Sequence, residues 1–164
     1  MTTLRALEPN DIDLLFDVEN DAAMWDVGNT NMPYSRKFLS DYILNTTGDI
    51  YTDKQLRLVI ECNGSPAGLV DLTDFDPKNM RAEVGITVTE AFRNRGIAFE
   101  AMQLIVNYAA KTLHLHQLYA IIPETNEPSL KLFAKCTFDK KVLLTDWVAD
   151  GKKHKNALLV QKIL

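Results

Sequence analysis

The sequence predicts a mixed fold of the α+β kind, and three observations carry that expectation. Alternating apolar runs and helix-patterned runs follow one another as strand, two helices, three strands, helix, strand, helix, two strands. Two of the joints between strands hold hairpin dipeptides, Asn63-Gly64 and Asp150-Gly151. Between the alternating run Glu83-Val84-Gly85-Ile86-Thr87-Val88 and a helical run from Phe99 to Thr112 lies the turn Arg93-Asn94-Arg95-Gly96-Ile97-Ala98, so the chain passes from strand through small residues into a helix.

Thr3 to Leu7 alternates as a first strand, and Pro9 suits the first turn of a helix that buries Ile12, Leu14, Leu15, Phe16 and Val18 and ends near Asn20. Asp21 to Pro33 contains Trp25, Gly28, Asn29 and Asn31 and reads as a loop or a broken helix. Ser35 is an N-cap for a second helix with Phe38, Leu39, Tyr42 and Ile43 on one side, and Asn45 to Asp53 follows as a polar loop. Leu56 to Cys62, Ala67 to Phe75 and Arg81 to Thr89 read as three strands. The next helix should pack through Ala101, Leu104, Ile105, Tyr108 and Ala109. Gln117 to Ile122 is a strand, and Pro128 opens a helix to about Lys135 with Leu130, Leu132 and Phe133 inward. The last strands are Lys140 to Val148 and Asn156 to Ile163.

A chain of 164 residues is expected to form one domain, 1-164, with a core that needs no staples. Hydrophobic residues at 46% and charged residues at 24% are those of a globular chain, no apolar run approaches a bilayer span, and Met1 to Arg5 lacks a signal-peptide layout, so a cytoplasmic protein without a membrane partner is expected. Cys62 and Cys136 lie far apart without a CxxC or His partner spacing and are expected to be buried thiols. His114 and His116 lack a suitably spaced third ligand, so no metal is expected. A net charge of -4 without a basic run argues against nucleic acid and suits a cationic small molecule.

The turn before the long helix carries the chemistry. A helix beginning just after Gly96 and Ala98 turns unpaired N–H groups and about half a positive charge toward whatever lies above its end. Gly96 removes a side chain where a phosphate would press on the backbone, Ala98 keeps the next position small, and Arg93 and Arg95 add charge.

Arg93-x-x-Gly96-x-Ala98, followed downstream by Asn126-x-x-Ser129-x-x-Leu132-x-x-Lys135-x-x-Phe138, resembles the pyrophosphate-binding signature and the second block of the GCN5-related N-acetyltransferases. The likeness covers nearly the whole chain, and it is greatest toward the branch of spermidine N-acetyltransferases and ribosomal-protein N-terminal acetyltransferases. It implies a central, mostly antiparallel sheet with splayed parallel strands 4 and 5, helices on both faces, acetyl-CoA as co-substrate, and a homo-oligomer, a dimer or higher. It also implies that Ile86, Thr87 and Val88 line the wedge that receives the pantetheine. Arg93, Asn94, Arg95, Gly96, Ile97, Ala98 and Phe99 would hold the pyrophosphate, and Asn126, Ser129, Phe133 and Lys135 would complete the cofactor site. The loops Asp21 to Pro33 and Asn45 to Asp53 would flank the acceptor.

An amine must lose a proton before it attacks a thioester, since its pKa is near 10.4 in water. Glu83 is the expected catalytic acceptor of that proton, with Asp71 and Asp74 as secondary candidates. Phe133 stands where many relatives have a Tyr that protonates the leaving thiolate. The expected activity is therefore direct transfer of an acetyl group to a primary amine of a small molecule, a polyamine such as spermidine among them. The alternatives are an N-terminal acetyltransferase of a ribosomal or other protein, and a CoA-binding regulatory module without turnover.

Overall fold

The computed structural model describes residues 1–25 and 32–164, with only the backbone of residue 24. The elements run β1 (Thr2–Ala6), a 3-10 turn (Pro9–Asp11), α1 (Ile12–Glu19), α2 (Ala22–Trp25), α3 (Arg36–Asn45), α4 (Ile50–Asp53), β2 (Leu56–Cys62), β3 (Ser65–Asp76), β4 (Arg81–Val88), a second 3-10 turn (Glu90–Phe92), α5 (Ile97–Lys111), β5 (Gln117–Pro123), α6 (Glu127–Lys135), β6 (Lys140–Asp150) and β7 (Lys153–Ile163). The strands form one sheet in the order β1-β2-β3-β4-β5-β7-β6. All neighbours are antiparallel except β4 and β5, which run parallel because α5 carries the chain back to the start of the sheet.

Side-chain alternation sorts the strands onto two covered faces. β3 sends Val70 and Leu72 to one face, where Ala101, Met102 and Ile105 of α5, Phe133 of α6 and Phe138 complete the larger core. It sends Leu69 to the other, where Val59 meets Leu14 and Leu15 of α1 and Leu39 and Ile43 of α3. Among the described residues this second layer covers the β2–β3 part of its face and leaves the part over β5 and β7 open.

The elements depart from the sequence reading at a few places with physical causes. Leu104 is 39% exposed, because the buried stripe of α5 centres on Ala101, Met102, Ile105 and Ala109 and leaves Leu104 on its flank. Phe38 is also exposed and stacks on Tyr34 at 5.0 Å instead of entering the core. The expected loop Asn45 to Asp53 contains the short helix α4, started by Asp49, whose side chain accepts the Tyr51 N–H at 3.1 Å. Trp25 closes the short helix α2, while the turn residues Gly28, Asn29 and Asn31 lie outside the described residues. β7 begins at Lys153, three residues earlier than Asn156, because pairing with β6 continues down to Asp150. Cys136 is buried as expected, whereas Cys62, at the end of β2, is only half-buried.

The N-terminal layer is tied to the sheet by Arg5. Its guanidinium reaches both carboxylate oxygens of Asp11 at 2.8 Å, and Glu61 at 2.8 Å. The Arg5 hydrogen bonds hold the buried Asp11 carboxyl below the usual carboxylate range, with the Glu8 backbone N–H acting the same way against the effect of burial. A carboxyl with a lowered folded pKa contributes stability that is complete above its unfolded pKa and is lost as pH falls through the folded value. The wild-type urea midpoint should therefore drop more between ~pH 6 and ~pH 2.5 than that of Asp11→Asn. Equal drops in the two proteins would show that Asp11 is not an acid-sensitive tie.

Candidate active site

The parallel ladder between β4 and β5 is short. It joins Arg81 to Gln117, Ala82 to Leu118 and Glu83 to Tyr119, and then stops. β4 remains paired with β3 up to Val88, and β5 remains paired with β7 up to Pro123. The sheet therefore opens in its middle above Glu83 and Tyr119, leaving backbone groups of Val84 to Val88 and of Ala120 to Pro123 without ladder partners across the gap. An extended chain with amide groups can take up such partners.

Gly68 lies against the other margin of β4. A Cβ there would lie 2.1 Å from the Thr87 carbonyl oxygen and 2.9 Å from the Val88 Cα, so β3 approaches the end of β4 more closely than any side chain permits. The close approach continues in the Thr89 N–H, which donates to the Ala67 carbonyl at 2.9 Å. Beyond this point the chain enters the turn that leads to α5.

That turn places two residues in the left-handed region, Asn94 at φ 60° and Gly96 at φ 80°. Gly96 is the N-cap of α5, and the first intrahelical bond runs from the Glu100 N–H to its carbonyl at 3.1 Å. The N–H groups of Ile97, Ala98 and Phe99 thus precede the helical ladder at the mouth of the opening. Arg93 to Gly96 are exposed, Ala98 and Phe99 are half-buried, and Ile97 is buried in the core and anchors the turn. The Arg93 Nε donates to the Val88 carbonyl at 2.9 Å and fastens the turn to the end of β4. Arg95 lies over the Phe92 ring at 5.6 Å and is otherwise at the surface. A helix end with two nearby guanidinium groups suits a phosphate.

Across the gap, the Asn126 Oδ1 accepts the Ser129 N–H at 3.3 Å and caps α6, while the Asn126 N–H donates to the Pro123 carbonyl at 2.9 Å. Lys135, exposed at the other end of α6, sits 4.3 Å above the Phe99 ring and links α6 to the first turn of α5. Ile86 and Val88 turn toward the α5 side and pack on the larger core, and Thr87 turns to the opposite face. Phe133 is 3% exposed and meets Phe138 edge-on at 4.8 Å, so its ring belongs to the core and presents nothing polar to the opening.

Glu83 stands at the apex of the opening, half-buried, on the face away from α5. Burial pushes its carboxyl above the ordinary glutamate value and the Asp74 charge adds to this, although the Ile121 backbone N–H acts against both. A carboxylate of raised basicity is suited to accept a proton from an ammonium group. The secondary candidates are less free. Asp71 takes two hydrogen bonds from Arg57, at 2.7 and 3.1 Å, and Arg57 also pairs with Glu19 and lies over Tyr42. Asp74 is exposed in the irregular pairing before the Asp76 turn, at φ 46°. Beside Glu83 a groove of about 370 Å³ runs over the open face, lined by Arg81, Gln117, Tyr119, Ile121, Leu159 and Gln161. Among the described residues no group of three or more His, Cys, Asp and Glu side chains is placed to hold a metal ion.

A family model for the acetyltransferase (GNAT) domain matches residues 2–139. The chain belongs to the GNAT acetyltransferases. It is an acyltransferase, and its relatives place it toward the spermidine acetyltransferase branch. It is 29% identical over 160 residues to the spermidine N(1)-acetyltransferase of Escherichia coli (strain K12), covering 94% of this chain and 82% of that relative. It is 25% identical over 142 residues to a putative ribosomal N-acetyltransferase of Bacillus subtilis (strain 168), covering 77% and 72%. The crystal structure of spermidine N-acetyltransferase from Vibrio cholerae in complex with CoA and spermine superimposes with a TM-score of 0.88 at 20% identity, over 99% of this chain and 95% of that one.

In this GNAT acetyltransferase several site-shaping residues carried a weak signal or none in the sequence. Gly68 inside a strand pattern is a sign of close backbone approach. Tyr119 and Ile121 alternate correctly to share a face, but only the register against β4 brings Tyr119 beside Glu83. The Arg57 ion pairs join residues 38 and 14 positions apart and could not be read from spacing.

Proposed function

We propose that this protein transfers the acetyl group of acetyl-CoA directly to the primary amine of a small molecule, a polyamine such as spermidine among the acceptors. The single observation that carries this reading is the three-pair seam between β4 and β5. It leaves a gap for an extended thioester chain with the α5 turn at one end and the Glu83 carboxylate at the other. The pyrophosphate rests on the N–H groups from Arg93 to Phe99, the pantetheine pairs with Ile86 to Val88, and Asn126, Ser129 and Lys135 close the far side. Phe133 supports that side from within the core. Glu83 takes the proton that the ammonium group must lose.

The polyamine acceptor is supported by the Escherichia coli and Vibrio cholerae relatives and by a net charge of -4. A homo-oligomer is supported by the Vibrio cholerae enzyme, one structure of which is dodecameric. Among the described residues no helix is long and apolar enough to cross a membrane, which is compatible with a cytoplasmic location. We assign catalysis to one domain formed by the whole chain. The Bacillus subtilis relative favours a second reading, acetylation of a protein N-terminus.

Release of CoA thiol from acetyl-CoA, measured over spermidine, diamines, short peptides and aminoglycosides, tests the proposal, with an enzyme-only blank because Cys62 and Cys136 carry free thiols. Release stimulated by spermidine or a diamine is expected. Stimulation by peptides alone would select the second reading, and silence with CoA still bound would leave a binding module.

A further inference from the structure

Thioester aminolysis has a second proton requirement that the residues considered so far do not meet. Nitrogen loses two protons between the ammonium ion and the amide, and one proton must reach the departing sulfur. Phe133 supplies no hydroxyl, and its ring is sealed against Phe138. Of the five tyrosines, Tyr34 stacks on Phe38, Tyr51 meets Phe75, Tyr42 lies under Arg57, and Tyr108 packs into the core from α5. Tyr119 alone lies on a strand that bounds the opening.

We propose that Tyr119 is the proton donor to the leaving CoA thiolate and works as a pair with Glu83. This rests on the acetyl-transfer reading above. The two residues form the last rung before β4 and β5 separate, so they share the open face at the place where a thioester threaded through the gap would arrive. Tyr119 is half-buried and lines the groove next to Glu83. Burial, the Glu83 charge and Asp74 and Asp76 from the end of β3 all raise its pKa, and Arg81 opposes them. The phenol is therefore protonated at neutral pH, as a donor must be.

The protons balance over one turnover. Glu83 takes one proton from the ammonium group, and the neutral amine attacks the carbonyl carbon to form the C–N bond. The C–S bond breaks with its electron pair on sulfur, and sulfur takes the Tyr119 proton. Protonated Glu83 returns its proton to the phenolate, and the second nitrogen proton passes to solvent. Ammonium and thioester become amide, thiol and one free proton.

The test compares wild type and Tyr119→Phe on two donors with a fixed amine, acetyl-CoA and an S-aryl thioacetate whose aromatic thiol is more acidic and leaves without protonation. The variant is expected to lose roughly 10²-fold in kcat with acetyl-CoA, the scale of a lost general acid, and to stay within about threefold of wild type with the aryl donor. An equal loss with both donors would assign Tyr119 to shape alone and overturn the proposal, as would an unchanged rate with acetyl-CoA. A wild-type protein that acetylates no amine would overturn the acetyl-transfer reading itself, and the Tyr119 assignment with it.

Discussion

Glu83→Gln should lower kcat for amine acetylation by roughly 10²–10⁴ while CoA affinity stays the same, the scale expected when a positioned proton acceptor is lost. The amide has the shape of the carboxylate, and the Ile121 N–H beside it keeps an acceptor, so the strands at the apex need not move. The change removes the negative charge and the basic oxygen while it keeps the shape. Folding stability gives an independent check. Burial holds the carboxyl above its unfolded value, and a raised folded pKa means that ionisation disfavours the folded state as pH rises through it. At neutral pH the glutamine variant should therefore be at least as stable as wild type, an inactive protein with an equal or higher melting temperature. The same raised value, that of the protein without substrate, moves the acid limb of the wild-type kcat/KM profile above the pH of an ordinary glutamate. Steady-state rates across pH, with calorimetry of CoA binding, decide the matter. Wild-type kcat in the variant would exclude Glu83 as the base, and a parallel loss of CoA affinity would make its role structural.

Gly68→Ala should damage the opposite end of the same strand. The added methyl group meets the Thr87 carbonyl and the Val88 Cα, which are backbone atoms with no rotamer to turn aside. β4 must move away from β3, and it carries with it the Val88 carbonyl that holds Arg93 and the Thr89 N–H that holds the turn to Ala67. Overpacking of this kind costs about 1–3 kcal/mol of stability. If a similar amount appears in the α5 turn, CoA binding weakens by about tenfold or more, since each 1.4 kcal/mol is a factor of ten. Urea unfolding and calorimetric titration with CoA measure the two effects. Wild-type values in both would show that the close approach is slack.

Much of this architecture was legible in the chain because its signals are local. Gly96 before a helical run, Asn63-Gly64 between two strands and Asn126 before Pro128 each state a backbone requirement within a few residues, and each element lies where those signals put it. The two blocks of the family signature are local in the same sense, and the resemblance they carry implies the mostly antiparallel sheet with strands 4 and 5 parallel that the structure has. What escaped depends on distance. Leu104 was assigned to the packing face because it is apolar and well spaced, yet the stripe is centred on Met102 and Ile105, and only the sheet beneath fixes that centre. The small-residue turn into α5 was readable, but the engagement of Arg93 by the Val88 carbonyl was not, because it depends on where the strand ends. Glu83 was visible as a carboxylate on a strand. Its neighbour Tyr119 was not, because the pairing joins two residues separated by all of α5.

A sheet that parts in its middle has four free margins instead of two. The outer pair are guarded in familiar ways. β1 is only five residues long, and β6 carries Lys140 and Lys141 near its start and an irregularity around Asp146, at φ 51°, where the Asn156 side chain takes the unpaired N–H at 3.0 Å. Neither offers a long flat template to another molecule. The inner pair are short as well, but Val84 to Val88 and Ala120 to Pro123 contain no charged residue. They are protected by facing one another, diverging from a shared seam with covered layers on the α5 side. A stranger's sheet meets no accessible rim there, whereas a slender amide-bearing chain meets a partner on either hand. The fold thus keeps its stickiest backbone where only a guest one strand wide can use it.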